Sequence, residues 1–140
     1  MTGTPPEGQD WFDKAGQDLE MARRAMDPKK PLPAMACYHA QQCVEKYLKG
    51  YLVACGIRFR FVHDLVYLTQ LCTETEAGFE TLMSAAEVLG EYGTTMRYPV
   101  EEAEDEPDNE DAHEAIRLTE IVAAYVLKQL GVQKEPPESP

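Results

Sequence analysis

The sequence predicts an all-α protein, an up-and-down helical bundle of about five helices. Apolar residues recur three and four positions apart through several long stretches, which is the period of a helix. Pro- and Gly-containing breaks separate these stretches. The only stretch with strand-like alternation, residues 57–62, is short and has no second strand to pair with, so we interpret it as a loop. A chain of 140 residues is long enough for one domain with its own core.

The first helix is predicted to begin at Asp10, which is a good N-cap residue, and to stop before Asp27-Pro28. Its apolar positions recur at helical spacing: Trp11, Ala15, Leu19, Ala22 and Met26. We expect residues 1–9, which are polar and contain two prolines, to be disordered. The bundle then occupies residues 10–131, and residues 132–140 form a disordered tail.

The second helix is predicted from Pro33 to Cys55, with Gly56 as the glycine that ends it. At 100° per residue its apolar side chains fall on one arc. The opposite arc is polar: His39, Gln41, Gln42, Glu45, Lys46 and Lys49. This arc is either a solvated face or, if the helix is central, the wall of a cleft. Lysines in such a cleft would favour a ligand that carries phosphate.

Three more helices follow the loop. The third is predicted to start near His63 or Asp64, the fourth to cover residues 77–93, and the fifth to cover residues 109–130. Residues 94–111 form a long connection, and eight of residues 101–111 are acidic, which is typical of a solvated segment.

The fifth helix carries a second apolar strip behind its core face. The strip consists of Leu118, Ile121 and Tyr125. Because a single bundle buries only one face of an outer helix, the strip predicts an interface with a second copy of the chain. The expected assembly is therefore a homodimer.

Several classes of protein are excluded by composition. No apolar run approaches the ~18 residues that a membrane span needs, and the N-terminus has neither the basic nor the apolar part of a signal peptide. We therefore expect a cytoplasmic protein that does not enter the membrane. No two of the four cysteines have C-x-x-C spacing, and three lie in apolar helical stretches, so we expect reduced, buried thiols.

The net charge of −12 is uneven. Residues 1–60 hold nine Lys and Arg against seven Asp and Glu, whereas residues 61–140 hold four against eighteen. An acidic surface repels nucleic acid. Any contact with RNA or a nucleotide is therefore expected from the first half, or from a single arginine in a cleft.

Two short motifs could carry chemistry. Arg58 and His63, with four residues between them, could hold an RNA phosphate and move a proton; alternatively, His63 simply precedes the N-cap of a helix. Arg97 and Tyr98, held extended by Pro99, could grip a phosphate and stack on a base, or could anchor the loop to a nearby acid.

Glu110 and His113 match the Glu-x-x-His unit of di-iron bundles. No second unit of this kind is present in the sequence, so we predict no metal and no cofactor.

Taken together, the segments WFDKAGQDLEMA, ACYHAQQCVEKYLKGYL, HDLVYLTQLC, RYP and EDAHEAI resemble the HEPN family over about residues 10–131. The resemblance implies a five-helix bundle of the nucleotidyltransferase substrate-binding-subunit type that forms homodimers. It also implies a partner, a separately encoded minimal nucleotidyltransferase, in a toxin–antitoxin-like pair. The chain itself lacks the Gly-Ser and paired-Asp signature of such an enzyme.

The resemblance implies a binding site for a nucleotide, ATP or GTP, or for the partner. Its residues would be Gln42, Lys46, Lys49, His63, Arg97 and Tyr98. Many family members are metal-independent ribonucleases with an Arg-x4–6-His motif on a later helix, but Arg97 has no His within six residues. The alternative function is therefore a ribonuclease that uses Arg58 or Arg97 with His63.

Overall fold

The computed structural model describes residues 6–95 and 106–131, which form five α-helices and one 3₁₀ helix and contain no strand. The helices run in chain order: α1 Pro6–Ala25, α2 Pro33–Ala54, α3 Leu65–Thr75, the 3₁₀ helix Ala77–Leu82, α4 Met83–Thr95 and α5 Asn109–Gln129. The all-α prediction is confirmed. Within the described ranges, no helix is long and apolar enough to cross a bilayer.

Helix α1 begins at Pro6 rather than after Asp10. The predicted disorder of residues 1–9 is therefore wrong for residues 6–9. Proline suits the first position of a helix, because the amide it lacks would have no partner there. A side-chain hydrogen bond from Gln9 Nε2 to Asp13 Oδ1 (2.9 Å) spans the first turns. The predicted tail and the Arg97-Tyr98 pair lie outside the described residues.

The buried face of α1 differs from the predicted apolar face at its first position. Phe12, not Trp11, enters the core and stacks on Tyr47 of α2, with ring centroids 5.6 Å apart. The two helices approach closely at Gly50, where an added Cβ would lie 2.5 Å from the Phe12 ring. Larger side chains at this crossing would force the helices apart.

Helix α2 lies at the centre of the bundle and packs against α1, α3, α4 and α5. It therefore buries side chains around most of its circumference, including Leu48 and Leu52, which are fully buried. The helix ends as predicted: Cys55 is the C-cap, and Gly56 follows in the left-handed region at φ +72°. Glycine adopts this conformation without steric cost.

The starts of α3 and α5 are fixed by acidic N-caps. Asp64 accepts a hydrogen bond from the Tyr67 amide (3.1 Å) and starts α3, as predicted. Asp108 and Asp111 form a reciprocal capping box at the start of α5. The predicted fourth helix is divided, because its first residues form the 3₁₀ helix before α4 begins. Residues 57–62 form a loop, as predicted.

The second apolar strip of α5 is largely occupied within the chain. Leu118 and Tyr125 are partly buried against the core, and the Tyr125 ring meets Phe79 edge-on at 4.9 Å. Of the three predicted interface residues, Ile121 is the exposed one, at 51%. Further exposed apolar side chains lie at the α1–α2 end of the bundle: Met21, Leu32 and Met35.

The four cysteines differ sharply in their surroundings. Cys37, Cys43 and Cys72 are buried, and Cys55 is exposed. Burial disfavours the thiolate and raises the pKa of the Cys37 and Cys43 thiols to about 12; it also raises the pKa of Cys72. Since the thiolate is the reactive form, the three buried thiols stay protonated and unreactive at neutral pH.

We therefore predict that a thiol reagent such as DTNB labels one cysteine of the native protein promptly and the other three only after unfolding. Raising the pH toward 9 should not release the three buried thiols, because the pKa of each lies well above that range. The Cys55→Ser variant is the control and should show no prompt reaction. Prompt labelling of two or more thiols in the wild type would contradict the packing of α2.

Candidate functional site

Three of the six residues in the polar arc of α2 are buried, and the other three are half-buried. Gln41 is fully buried, and Glu45 and Lys49 are each 5% exposed. The Glu45 carboxylate accepts a hydrogen bond from Lys49 Nζ at 2.8 Å, and the two side chains lie one helical turn apart. Such a pair persists in a dry environment only because each charge is neutralised by the other.

His63 joins this pair from the segment before α3. Its Nδ1 lies 2.9 Å from Glu45 Oε2 and 3.1 Å from Oε1. Because a carboxylate only accepts hydrogen bonds, Nδ1 carries the proton, and a neutral His63 ring has its free lone pair on Nε2. No described residue hydrogen-bonds Nε2, and the His63 side chain is 56% exposed. Glu45 thus orients an imidazole whose other nitrogen has no hydrogen-bond partner among the described residues.

A cleft of about 480 Å³ opens beside His63, between the start of α3 and helix α4. Three of the residues that line it are small: Ala86, Gly90 and Gly93. Three acidic residues also line it: Asp64, Glu87 and Glu91. Among the residues that the structure describes, Asp64 and Glu87 give the lining negative charge beside the imidazole, and this disfavours phosphate next to them.

Gln41 links the cleft to the rest of α2. Its side chain hydrogen-bonds Glu45 through Nε2 (3.4 Å) and accepts from Gln42 Nε2 (2.7 Å). A Cβ added at Gly93, which lines the cleft, would lie 2.9 Å from the Gln41 amide carbon. The glycine therefore lets α4 approach the buried amide, and the chain of hydrogen bonds continues from Gln42 to His63.

Lys46 faces a different part of the molecule. Its Nζ pairs with Asp18 of α1, and the same carboxylate accepts from His39 Nδ1 at 2.9 Å. Lys46 also lines a small cavity of about 160 Å³ with Trp11 and Lys14. The structure therefore divides the predicted site: Gln42, Lys49 and His63 belong to one network, and Lys46 belongs to another.

The other predicted residues are placed as follows. Arg58 is exposed in the loop before His63, whereas Arg97 and Tyr98 lie outside the described residues. Glu110 and His113 are exposed on α5, and the described part of the chain holds no group of three or more metal-ligating side chains.

Sequence reasoning missed the roles of two acidic residues. Asp18 lies three residues after Ala15 and four before Ala22, on the buried face of α1, and this spacing could have identified it. Glu45 is four residues from both Gln41 and Lys49, which indicates a local pair but not its burial. The contact with His63 depends on how the loop folds back, and no periodic signal encodes that.

The fold and the site define a class: an all-helical bundle whose central helix carries a buried charge network ending at a histidine beside a cleft. The chain belongs to the HEPN family, since the HEPN domain model matches residues 9–130.

Three relatives illustrate this membership. A Methanocaldococcus jannaschii protein named "Putative toxin MJ1304" is 25% identical over 137 residues, covering 86% of this chain and 89% of that protein. The crystal structure of ST0689, described as an archaeal HEPN homologue, has a TM-score of 0.70 and 31% identity, and the match covers 90% of this chain and 99% of that one. The crystal structure of TT1696 from Thermus thermophilus has a TM-score of 0.73 and 28% identity, covering 90% of this chain and 100% of that one.

We predict that removing one partner of the buried Glu45–Lys49 pair lowers the stability of the protein strongly. Glu45→Ala leaves the Lys49 ammonium buried without its carboxylate, so unfolding free energy should fall by roughly 3 kcal/mol. The double variant Glu45→Ala/Lys49→Ala should be more stable than Glu45→Ala alone, because it leaves no buried charge without a partner. Urea unfolding followed by circular dichroism measures both.

The matched control is Glu20→Ala, which removes an exposed pair with Arg24 at the same i,i+4 spacing. Its cost should be below about 1 kcal/mol. Equal losses for Glu20→Ala and Glu45→Ala would contradict the burial of the Glu45 network.

Proposed function

We propose that the protein is the HEPN half of a toxin–antitoxin-type pair, a homodimeric binding module that takes a nucleotide or a separately encoded minimal nucleotidyltransferase at the His63 end of the bundle. The observation that carries this proposal is the arrangement around Glu45. A buried carboxylate holds His63 at the mouth of a cleft, in a fold whose relatives include a protein named as a toxin.

The charges around the network favour one place for a phosphate-bearing ligand. Lys46 and Lys49 are each already paired with a carboxylate, so binding phosphate there would require breaking an ion pair. Arg58 and Arg60 lie in the loop that leads to His63, and neither forms a salt bridge to any described residue. A nucleotide would therefore place its phosphates on the loop and its base toward His63.

A homodimer is supported by the exposed apolar side chains. Ile121 on α5, together with Met21, Leu32 and Met35 at the α1–α2 end, leaves apolar surface that a second copy could cover.

Isothermal titration with ATP and GTP tests the nucleotide proposal. We expect saturable binding that weakens severalfold in Arg58→Ala, because one charge-assisted contact to phosphate is lost. Arg117→Ala, which removes another exposed arginine from α5, is the matched control and should bind like the wild type. Light scattering on the same samples should report twice the 15.7 kDa chain mass.

The absence of heat with either nucleotide, together with the absence of a co-purifying nucleotidyltransferase, would reject the binding-module proposal. A particle of 15.7 kDa would reject the homodimer.

A second candidate function, ribonuclease activity, is favoured by the His63–Glu45 contact itself. In such a reaction Nε2 of His63 takes the proton of a ribose 2′-hydroxyl, whose oxygen then forms a bond to the adjacent phosphorus. The phosphorus–5′-oxygen bond breaks, and the leaving 5′-oxygen takes a proton from water. Arg58 would hold the phosphate, and Glu45 would stabilise the imidazolium that forms. Arg97, the other arginine considered for this role, lies outside the described residues.

For this candidate, the wild-type protein should cleave single-stranded RNA in the presence of EDTA. His63→Ala should lower the rate by about 10²- to 10⁴-fold, the usual contribution of a general base. His113→Ala, which removes an exposed histidine from α5, is the control and should leave the rate unchanged. Cleavage that survives His63→Ala would mean that another protein in the sample is responsible.

A further inference from the structure

The loop before α3 is held in place at several points. The Ile57 amide donates to the Leu52 carbonyl (2.8 Å), and the half-buried Phe59 ring lies 5.9 Å from Lys49 Nζ. Arg60 places its guanidinium 4.2 Å from the centroid of the Tyr67 ring, and its amide donates to the Tyr67 hydroxyl at 3.2 Å. Residues 57–62, which we call the basic–aromatic loop, are therefore a fixed feature of the surface.

One aromatic side chain of this loop points into solvent. Phe61 is 96% exposed, whereas Phe12 and Phe79 are in the core and Phe59 is half-buried. Burying a Phe side chain away from water is favourable, and Phe61 gains none of this free energy within its own chain. Such a side chain is suited to contact with a partner.

The loop also carries positive charge that no acidic residue in the described ranges neutralises. Arg23 and Arg24 are paired with Glu120 and Glu20. Arg58 and Arg60, by contrast, have no carboxylate within salt-bridge distance in the part of the chain that the structure describes. Two unpaired guanidiniums thus flank an exposed aromatic ring on a protein of net charge −12.

We propose that the basic–aromatic loop is a binding site for single-stranded RNA, in which Phe61 stacks on a base while Arg58 and Arg60 hold the neighbouring phosphates. Exposed aromatics combined with unpaired arginines are the usual elements of sequence-tolerant single-strand binding. The proposal rests on the ribonuclease candidate above for the use of His63, which lies two residues beyond Phe61. RNA is favoured over a protein partner because its phosphates, ribose hydroxyl and base match the arginines, the imidazole and the aromatic ring of this surface.

The acidic cleft limits where the strand can lie. Glu87, which lines the cleft, would repel a phosphate, so the backbone should follow the loop and only the reacting ribose should approach His63. Glu87→Gln should consequently strengthen RNA binding, which a site inside the cleft for a basic peptide would not predict.

The test is fluorescence anisotropy of the full-length protein with a labelled single-stranded RNA of about 12 nucleotides, 2′-O-methylated so that it cannot be cleaved, at about 50 mM salt. Phe61→Ala should weaken binding by roughly fivefold to a hundredfold, the range for loss of one stacking aromatic, and Phe61→Trp should restore it. Arg58→Gln should weaken binding and lower the salt slope by about one, whereas Arg117→Gln should change neither. Because Phe61 is fully exposed, thermal unfolding of Phe61→Ala should match the wild type.

The outcomes separate this proposal from the ribonuclease candidate. Binding that depends on Phe61, without cleavage of unmodified RNA, supports the loop site and rejects the nuclease. If the protein cleaves RNA and Phe61→Ala binds RNA as tightly as the wild type, the loop site is overturned, but the ribonuclease candidate is retained. The proposal is also overturned if the wild-type protein does not bind RNA. It is overturned as well if Phe61→Ala binds RNA normally and loses only a protein that co-purifies with the wild type.

Discussion

The structure depends on one buried ion pair in its central helix. Glu45 and Lys49 are almost completely removed from water, and both remain acceptable there because they neutralise each other. A hydrophobic pair of the same volume would stabilise the bundle at least as well. What the ionic pair adds is a carboxylate with oxygens left to accept a further hydrogen bond, and His63 uses them. A buried charge in the core thereby orients a group at the surface.

The centrality of α2 explains why this arrangement is available. A helix packed against four others cannot keep a solvated face, so its polar arc has to be satisfied from within the protein. Gln41, Glu45 and Lys49 satisfy one another, and Lys46 reaches Asp18 on α1 instead. The Glu45–Lys49 network and the Lys46–Asp18 network extend from different sides of α2. One ends at the large cleft beside α4, and the other ends at the small cavity beside Trp11.

Charge divides the His63 end into two surfaces with different preferences. Among the described residues that line the cleft, Asp64 and Glu87 disfavour phosphate. The basic–aromatic loop, by contrast, presents arginines that no carboxylate in the described residues neutralises. The histidine lies at the boundary between them. A ligand with a negative backbone and a reacting hydroxyl fits such a boundary, since its phosphates can stay on the loop while the hydroxyl reaches the imidazole. In the proposed complex, the short separation of Phe61 and His63 in sequence would let both contact the same strand.

The sequence by itself determined the helices, because their signals are local. The break at Asp27-Pro28, the C-terminal Gly56 and the Asp64 cap each act on neighbouring backbone, and the structure confirms the ends of α2 and the start of α3 that they predict. Periodicity also identified α5, although it could not tell that Tyr125 would pack on Phe79 of its own chain rather than on a second copy. Only the tertiary structure decided which polar residues of α2 are buried, which lysine pairs with which carboxylate, and that His63 meets Glu45. These contacts join residues far apart in the chain, and their formation depends on the packing of whole helices, which local sequence patterns do not encode.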